Sequence, residues 1–168
     1  MARVYVSIGS NIDKEKNISS SVKALQEHFG ELDISNVYET KAAGFEGDDF
    51  HNLVVGFDTD ESPLEISEVL KKIEVRHDRV RGKEKFESRT LDLDQLLNGD
   101  LVMQMDGVYL PHPDIMRYNF VLKPLTELAG EVEHPEEEKT TNELWEAYEE
   151  KGGMEVVEYN FNWPLSAN

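Results

Sequence analysis

The sequence predicts a single α+β domain in which an antiparallel sheet carries helices on one face. Stretches with apolar residues at every second position, typical of strands, are interspersed with stretches in which apolar residues recur every three or four positions, typical of helices. Their order is strand, helix, strand, strand, helix, strand, which is the split βαβ order of ferredoxin-like folds. A length of 168 residues favours one domain over two. We therefore expect one domain over residues 1–168, with the second face of the sheet open to ligands.

The first strand and the first helix are predicted between Ala2 and Gly30. In "RVYVSIG" apolar residues alternate with others as far as Ile8, and Gly9-Ser10-Asn11 is predicted to turn the chain. A helical stripe follows and ends before Gly30, a residue type that often caps the ends of helices. The apolar members of the stripe are Ile18, Val22, Leu25 and Phe29.

Three further strands and a second helix complete the predicted arrangement. "LDISNVYET" and "FHNLVVGFDTD" are predicted strands, and in the second of them Phe50 and Asn52 share one face. Ser62 and Glu65 form a capping box around Pro63 and begin the second helix. "RTLDLDQLL" is the fourth strand.

The C-terminal third is predicted to add helices and strands to this sheet. "DLVMQMDGVYL" is predicted to form a hairpin that turns at Asp106-Gly107, and "PHPDIMRYNFVLKPLTELAG" a loop leading into a helix. Thr140 and Glu143 begin a last helix, which Gly152-Gly153 ends. "MEVVEYNF" is predicted to be a final edge strand.

Composition excludes several classes of protein. The chain has no cysteine, which excludes disulfides, thiolate zinc sites and a cysteine nucleophile. Its net charge of -18 argues against binding to nucleic acid or to an anionic membrane. No apolar stretch approaches the ~20 residues that span a bilayer, and no secretory signal precedes the first strand. We expect a cytoplasmic monomer.

Basic residues concentrate between Lys71 and Arg89. This segment holds eight of the 17 lysines and arginines but four of the 35 acidic residues, a net +4 within a chain of net -18. Such an island is typical of a site for a compact polyanion. The alternative is a solvent-exposed helix face with its trailing loop.

Two aspartates in the fourth strand predict a metal site. Asp92 and Asp94 lie two positions apart, so both side chains point from one face of the strand, about 6.5 to 7 Å from each other. Two carboxylates at that distance repel by roughly 2 to 3 kcal/mol, which a cation would relieve. Magnesium suits them, because it takes oxygen ligands together with water and substrate phosphates. The alternative is an acidic strand face exposed to solvent.

The neighbouring residues favour phosphoryl transfer. The basic island ends at Arg89, beside the paired aspartates, and phosphoryl transfer needs both metal ions and guanidinium groups. No P-loop and no G-x-G-x-x-G motif is present, so a nucleotide would be bound in another way. Phe50 and Asn52 could bind a flat heterocycle by stacking and hydrogen bonding, with Phe120 as the opposing ring. The alternative for each phenylalanine is a place in the core.

Several motifs together resemble one known family. "SRTLDLDQLL", "VYVSIGSN", "YET", "FHNLVV", "IEVRHDRVR" and "LPHPDIMRYNFVLKPL" occur in the same order as in 6-hydroxymethyl-7,8-dihydropterin pyrophosphokinases of folate biosynthesis. The resemblance extends from about Arg3 to Leu128. It implies a ferredoxin-like α+β fold and an enzyme that transfers pyrophosphate from ATP to the hydroxymethyl group of the pterin and releases AMP.

The resemblance also implies roles for individual residues. Asp92 and Asp94 correspond to ligands of two Mg²⁺ ions, and Arg79 and Arg89 to the catalytic arginines that hold the triphosphate. Further nucleotide contacts correspond to Glu74, Arg81, Lys85 and His112. The pterin is expected between the rings of Phe50 and Phe120, with Asn52 at its edge. Two loops, "KAAGFEGDD" and "RGKEKFES", correspond to segments that close over the substrates.

The chain departs from the family pattern at a few positions. Glu87-Ser88 replaces the usual Gly-Pro, Phe86 an aromatic that is usually tryptophan, and Tyr118-Asn119 an arginine and a glycine. Lys41 to Gly44 replaces a proline-rich turn. One alternative function is therefore a non-catalytic paralogue that binds a pterin or a nucleotide, and another is an acidic interaction domain.

Overall fold

The computed structural model describes the backbone of residues 1–11, 13–40, 50–81, 91–151 and 156–159. Side chains are described for the same residues except 40, 78–81, 149–151 and 156–159. The elements, in chain order, are β1 (Ala2–Ser10), α1 (Lys14–Phe29), β2 (Asp33–Ile34), β3 (Val37–Thr40), β4 (Phe50–Thr59), α2 (Pro63–Arg81), β5 (Asp92–Asn98), β6 (Met103–Met105), β7 (Val108–Leu110), α3 (Asp114–Arg117), α4 (Asn119–Ala129), α5 (Thr141–Lys151) and β8 (Val156–Tyr159).

An antiparallel sheet forms the centre of the described structure. Its strand order is β5-β1-β4-β3-β8, and β2 pairs with β4 beside β3. The four strands predicted first in the sequence therefore occupy the order expected of the split βαβ arrangement, so the predicted fold class is confirmed. The remaining strand β8 pairs with β3 at one edge, as predicted for "MEVVEYNF".

The predicted strand "LDISNVYET" is interrupted. Ile34 pairs with Val55 and Tyr38 pairs with Asn52, so this side of the ladder contains one residue more than β4 does. Ser35 occupies the interruption: its amide donates to the Val54 carbonyl at 2.9 Å and its hydroxyl accepts from the Val54 amide at 2.9 Å. A β-bulge of this kind leaves no signal in the apolar pattern.

The helices begin and end where local chemistry predicts. In α2 the Ser62 amide donates to the Glu65 carboxylate at 2.8 Å and the Glu65 amide donates to the Ser62 hydroxyl at 3.2 Å, which confirms the capping box. Thr140 and Glu143 make the same reciprocal pair at the start of α5. Helix α1 ends at Gly30, whose φ of 89° is one that glycine adopts without strain.

The sheet carries a hydrophobic cluster on each face. On one face α1 and α2 cover Val6, Ile8 and Leu53, whereas on the other α4 and α5 cover Tyr5 and Val54. The expectation of helices on one face holds for α1 and α2, but the expectation that the second face is open is wrong for much of that face, because the C-terminal helices α4 and α5 bury apolar side chains against it. The end of that second face near Gly9 presents the polar side chains of Asn52 and Asp92.

Within the described residues, none of the helices has the length and apolarity that crossing a membrane requires.

Candidate active site

Three neighbouring strands bring Asn52, Gly9 and Asp92 into one row. Gly9 of β1 pairs with Asn52 of β4 on one side and with Asp92 of β5 on the other. The sequence predicted a turn from Gly9 onward, but β1 continues to Ser10, because Gly9 pairs with both Asn52 and Asp92 and β4 continues far enough for His51 to pair with Ser10. This continuation places the predicted pterin-binding amide and the predicted metal-binding carboxylate on the same face of the sheet.

Gly9 provides the space that the Asn52 side chain uses. A methyl group at Gly9 would lie 2.8 Å from Asn52 Oδ1, closer than a real Cβ contact, so the amide leans over the glycine. Asn52 is 9% exposed, and its Nδ2 has no hydrogen-bond partner among the described residues. A buried N–H donor without an acceptor destabilises the folded state unless a ligand or water accepts a hydrogen bond from it. The geometry therefore indicates a ligand at the edge of Asn52.

Asp92 and Asp94 project into a cavity of about 270 Å³ at the edge of the sheet. Their backbone neighbours Leu91 and Leu93 are buried under α2, so both aspartates point from the opposite face, as predicted, and both are half-buried. The cavity is lined by α2, β5, the β6–β7 hairpin and the segment after it; its polar and charged members include Ser67, Lys71, Glu74, Asp92, Asp94 and His112.

Glu74 joins α2 to the outer edge of β5. Its Oε2 accepts a hydrogen bond of 2.7 Å from the Leu93 amide, a backbone group that β1 does not use because it points away from the sheet. One turn earlier on α2, Lys71 lines the same cavity. The cavity is thus lined by the positively charged Lys71 as well as by the paired aspartates.

His112 reaches Asp94 from the segment that follows β7. The His112 amide donates to the Leu96 carbonyl at 3.0 Å, which fastens this segment to the edge of β5. The Asp114 amide donates to His112 Nδ1 at 3.1 Å, so in the neutral ring the proton lies on Nε2, which is 3.8 Å from Asp94 Oδ1. Burial lowers the pKa of His112, against a smaller opposing effect of Asp114 and Asp92.

The cavity contains side chains that could bind a divalent metal. Ligand atoms of Asp94, His112 and Asp114 lie within 4.8 Å of one another. Imidazole is a poor ligand for Mg²⁺, whereas the carboxylate oxygens of Asp92 and Asp94 suit it. The residues therefore fit a magnesium ion at the two aspartates, with the Nε2–H of His112 left to donate to an anionic ligand.

The two predicted pterin rings lie on different elements. Phe50 is half-buried at the start of β4, on the face of Asn52, and Phe120 is half-buried at the start of α4. Tyr118, just before α4, stacks on Phe120 with 4.9 Å between the ring centroids and 22° between the planes. The sequence identified position 118 only as a departure from the family pattern. The contact between the Tyr118 and Phe120 rings depends on the bend of the backbone just before α4, which the sequence pattern does not show.

The remaining predicted residues are described less fully. Arg79 and Arg81 belong to the last turn of α2, whose backbone alone is described. Lys85, Arg89 and the two loops predicted to close over the substrates lie outside the described residues. Sequence reasoning named Lys71 only as a member of the basic island, and it missed the roles of Gly9 and Asp114, since each acquires its place through a neighbour on another element.

Comparison with known proteins decides the family. The family model described as 7,8-dihydro-6-hydroxymethylpterin-pyrophosphokinase (HPPK) matches residues 5–130. The chain belongs to this family. As a member of the HPPK family it is an enzyme that transfers a pyrophosphoryl group from ATP to hydroxymethyldihydropterin in folate biosynthesis, which confirms the activity predicted from the sequence. Enzymes of the HPPK family depend on ATP and generally need a divalent metal.

Curated relatives support this membership over most of the chain. The 2-amino-4-hydroxy-6-hydroxymethyldihydropteridine pyrophosphokinase of Aquifex aeolicus is 37% identical over 139 residues, which cover 80% of this chain and 85% of the relative. The enzyme of the same name from Bacillus subtilis is 31% identical over 156 residues, covering 90% of this chain and 93% of the relative.

A solved structure supports the fold. Plasmodium falciparum HPPK-DHPS with pterin and p-hydroxybenzoate superposes with a TM-score of 0.74 at 14% identity. The match covers 89% of this chain but 43% of that longer chain, so the likeness concerns the HPPK fold.

Proposed function

We propose that the cavity beside Asp92 and Asp94 binds ATP with two Mg²⁺ ions, and that the adjoining end of the sheet, around Asn52, binds 6-hydroxymethyl-7,8-dihydropterin. The hydroxymethyl oxygen attacks the β-phosphorus of ATP. The bond between that phosphorus and the oxygen bridging to the α-phosphate breaks, AMP leaves, and the hydroxyl proton passes to water.

One observation carries this proposal: Gly9 alone separates Asn52 from Asp92 in the cross-strand row. Neighbouring strands lie about 4.8 Å apart, so the two backbones are about 10 Å apart. A ring bound at Asn52 and a triphosphate bound at Asp92 would therefore lie side by side. Holding two reactants in this way supplies much of the acceleration that phosphoryl transfer needs.

The nucleotide side combines acidic and basic groups. The oxygens of Asp92 and Asp94 would hold Mg²⁺, which would supply positive charge to offset that of the phosphates. Lys71 offers a point charge, and the Nε2–H of His112 can donate to a phosphate oxygen. We assign Arg79 and Arg89 to the transferring group and Arg81 and Lys85 to the remaining phosphates, on the basis of the sequence motifs. Glu74 holds the rim of this pocket to β5.

The pterin side combines two rings with an amide. Phe50 and Phe120 are half-buried aromatic groups that can stack on a flat ring. The unpartnered Nδ2 of Asn52 can donate to an acceptor at the ring edge. A buried donor that would otherwise be unsatisfied favours ligands that carry such an acceptor.

The proposal is tested by following nucleotide products chromatographically in a mixture of the protein, ATP, Mg²⁺ and the dihydropterin. We expect AMP, and we expect Asp94→Ala to slow its formation by about two to three orders of magnitude. Asp100→Ala, at an exposed turn after β5, is the matched control and should keep the wild-type rate. ADP as the product, or an equally active Asp94→Ala variant with native circular dichroism, would contradict the proposal.

Calorimetry separates catalysis from the alternative of a binding protein. A non-catalytic paralogue would bind the dihydropterin but form no AMP. Membership in a family of pyrophosphokinases favours catalysis.

A further inference from the structure

Glu127 ties helix α4 to the sheet. Its carboxylate accepts hydrogen bonds from the Asn36 amide at 2.8 Å, from the Asn36 side chain at 3.5 Å and from the Tyr38 hydroxyl. The donors lie at the start of β3, and α4 packs across β3 and β4. A hydrogen bond to a charged acceptor contributes more than a neutral one, so this tie is among the stronger ones available to a helix.

Tyr38 lies directly beside the proposed pterin site. It is 4% exposed and pairs across the strands with Asn52, so both side chains leave the same face of the sheet. The Tyr38 hydroxyl reaches Glu127 of α4. The Tyr38 ring therefore lies between that helix and β3, the strand beside that of Asn52. Movement of the ring would change the space in which the Asn52 amide meets a ligand.

Helix α4 also carries the second wall of the proposed pocket. Phe120 and Glu127 are about two helical turns apart and therefore lie on the same side of α4. The side of the helix that Glu127 fastens to β3 is thus the side that presents the Phe120 ring. One cluster, formed by Glu127, Tyr38 and Asn36, links the strand beside Asn52 to the helix of Phe120.

We infer that Tyr38 and Glu127 are positioning residues for the dihydropterin, which set the distance between Asn52 and the Phe120 ring. This inference rests on the proposed pterin site and adds to it two residues that touch neither substrate. It distinguishes the two substrates: the described residues that line the ATP cavity belong to α2, β5, the β6–β7 hairpin and the segment after it, whereas the hydrogen bonds of Glu127 join α4 to Asn36 and Tyr38. Loss of the tie should therefore weaken pterin binding and leave ATP binding unchanged.

The test measures the Kd of the dihydropterin by calorimetry, and KM for each substrate and kcat by AMP release, for Tyr38→Phe, Glu127→Ala and Glu127→Gln. We expect the pterin Kd and KM to rise about tenfold in Tyr38→Phe and Glu127→Ala, while the KM for ATP stays within about twofold. Glu127→Gln keeps one acceptor oxygen and should fall between wild type and Glu127→Ala.

Tyr5→Phe is the matched control. Tyr5 is a buried tyrosine on the same face of the sheet, with the Arg3 guanidinium 5.6 Å from the centroid of its ring, and it lies on β1 toward the far end. We expect it to lower the melting temperature as much as Tyr38→Phe does, with an unchanged pterin Kd.

Two results would overturn the inference in distinguishable ways. If wild type binds the dihydropterin and Tyr38→Phe and Glu127→Ala bind it equally well, or if the KM for ATP rises in parallel, the tie is merely structural and the proposed function stands. If wild type binds no dihydropterin, the proposed pterin site is wrong and the positioning role is wrong with it.

Discussion

At the scale of residues, the site depends on small groups as much as on charged ones. Asp92 and Asp94 supply charge, but Gly9 decides whether Asn52 can lean toward them. Its role becomes visible only when β1 and β4 are paired, because the crowding atom, Asn52 Oδ1, is far away in sequence. The sequence alone placed Gly9 in a turn, because Gly-Ser-Asn is a common turn signal.

Gly9→Ala is expected to weaken pterin binding. The added methyl group would lie 2.8 Å from Asn52 Oδ1 and would push the amide out of its position. We expect the pterin KM to rise roughly tenfold, equivalent to ~1.4 kcal/mol. The measurement is steady-state AMP release at varied pterin and saturating ATP.

Gly56→Ala provides the control for crowding alone. A methyl group there would lie 2.9 Å from the Tyr5 ring, on the same strand as Asn52 but toward its other end. It should lower stability without changing the pterin KM. An unchanged pterin KM in Gly9→Ala would mean that Asn52 does not bind the ring.

At the scale of elements, α2 supplies half of the predicted nucleotide contacts, namely Glu74, Arg79 and Arg81, and a few local groups fix its position. The Ser62–Glu65 capping box fixes its beginning, and Glu74 fastens its middle to β5. The sequence predicted the capping box correctly because it depends on residues three apart. It did not predict the bond from the Leu93 amide to Glu74, because an edge amide becomes available only once the strand order is known.

Ser62→Ala is expected to weaken both folding and ATP binding. Loss of the cap should cost about 1 kcal/mol of the free energy of unfolding. Because α2 carries Lys71 and Glu74, fraying of its first turn should also raise the KM for ATP severalfold. Chemical denaturation and AMP-release kinetics measure the two effects.

Thr140→Ala removes the same kind of cap from α5, none of whose described side chains lines the ATP cavity. Its loss of stability should be similar and its KM for ATP should equal that of wild type. Equal KM values for ATP in Ser62→Ala and Thr140→Ala would show that the cap of α2 does not affect nucleotide binding.

At the scale of the whole molecule, a net charge of -18 coexists with a site for a polyanion. The cations that reduce the repulsion are local, since Lys71 lines the cavity and the other basic residues of the island follow it along α2 and beyond. High salt screens the repulsion between exposed acidic groups that are farther apart than the Debye length, which is about 8 Å at physiological ionic strength and shorter at higher salt. Under such conditions, groups buried in the folded state dominate the response to pH.

Folding stability at high salt is expected to fall between about pH 7.5 and about pH 5.5. Burial lowers the pKa of His51 and of His134, so the unfolded chain, with histidines near about 6.5, binds protons more readily than the folded one. The stability that the neutral rings contribute is fully present above the pKa of the unfolded chain, about 6.5. It is lost as the pH falls toward the lower pKa values of the folded state. Melting temperatures at about 0.5 M salt measure the effect.

His134→Asn tests the contribution of one ring. His134 Nδ1 accepts from the Glu136 and Glu137 amides at 3.1 and 3.2 Å, and the Oδ1 of asparagine can replace that acceptor without titrating. The variant should lose less stability than wild type over the same pH range. A loss equal to that of wild type would show that His134 does not contribute to the pH dependence.

The sequence by itself determined the class of fold, the order of the main strands and helices, the capped beginnings of α2 and α5, and the faces of Asp92, Asp94, Phe50 and Asn52. These features depend on periods of two and of 3.6 residues and on caps a few residues long, which are local. The order of the motifs sufficed to predict the HPPK family.

Only the tertiary structure decided which of these residues become neighbours. The row of Asn52, Gly9 and Asp92, the bond from the Leu93 amide to Glu74, and the tie from Glu127 to Tyr38 join residues that are far apart in the sequence. Strand register and helix packing set these contacts, and both result from burial of the two apolar clusters rather than from any single segment.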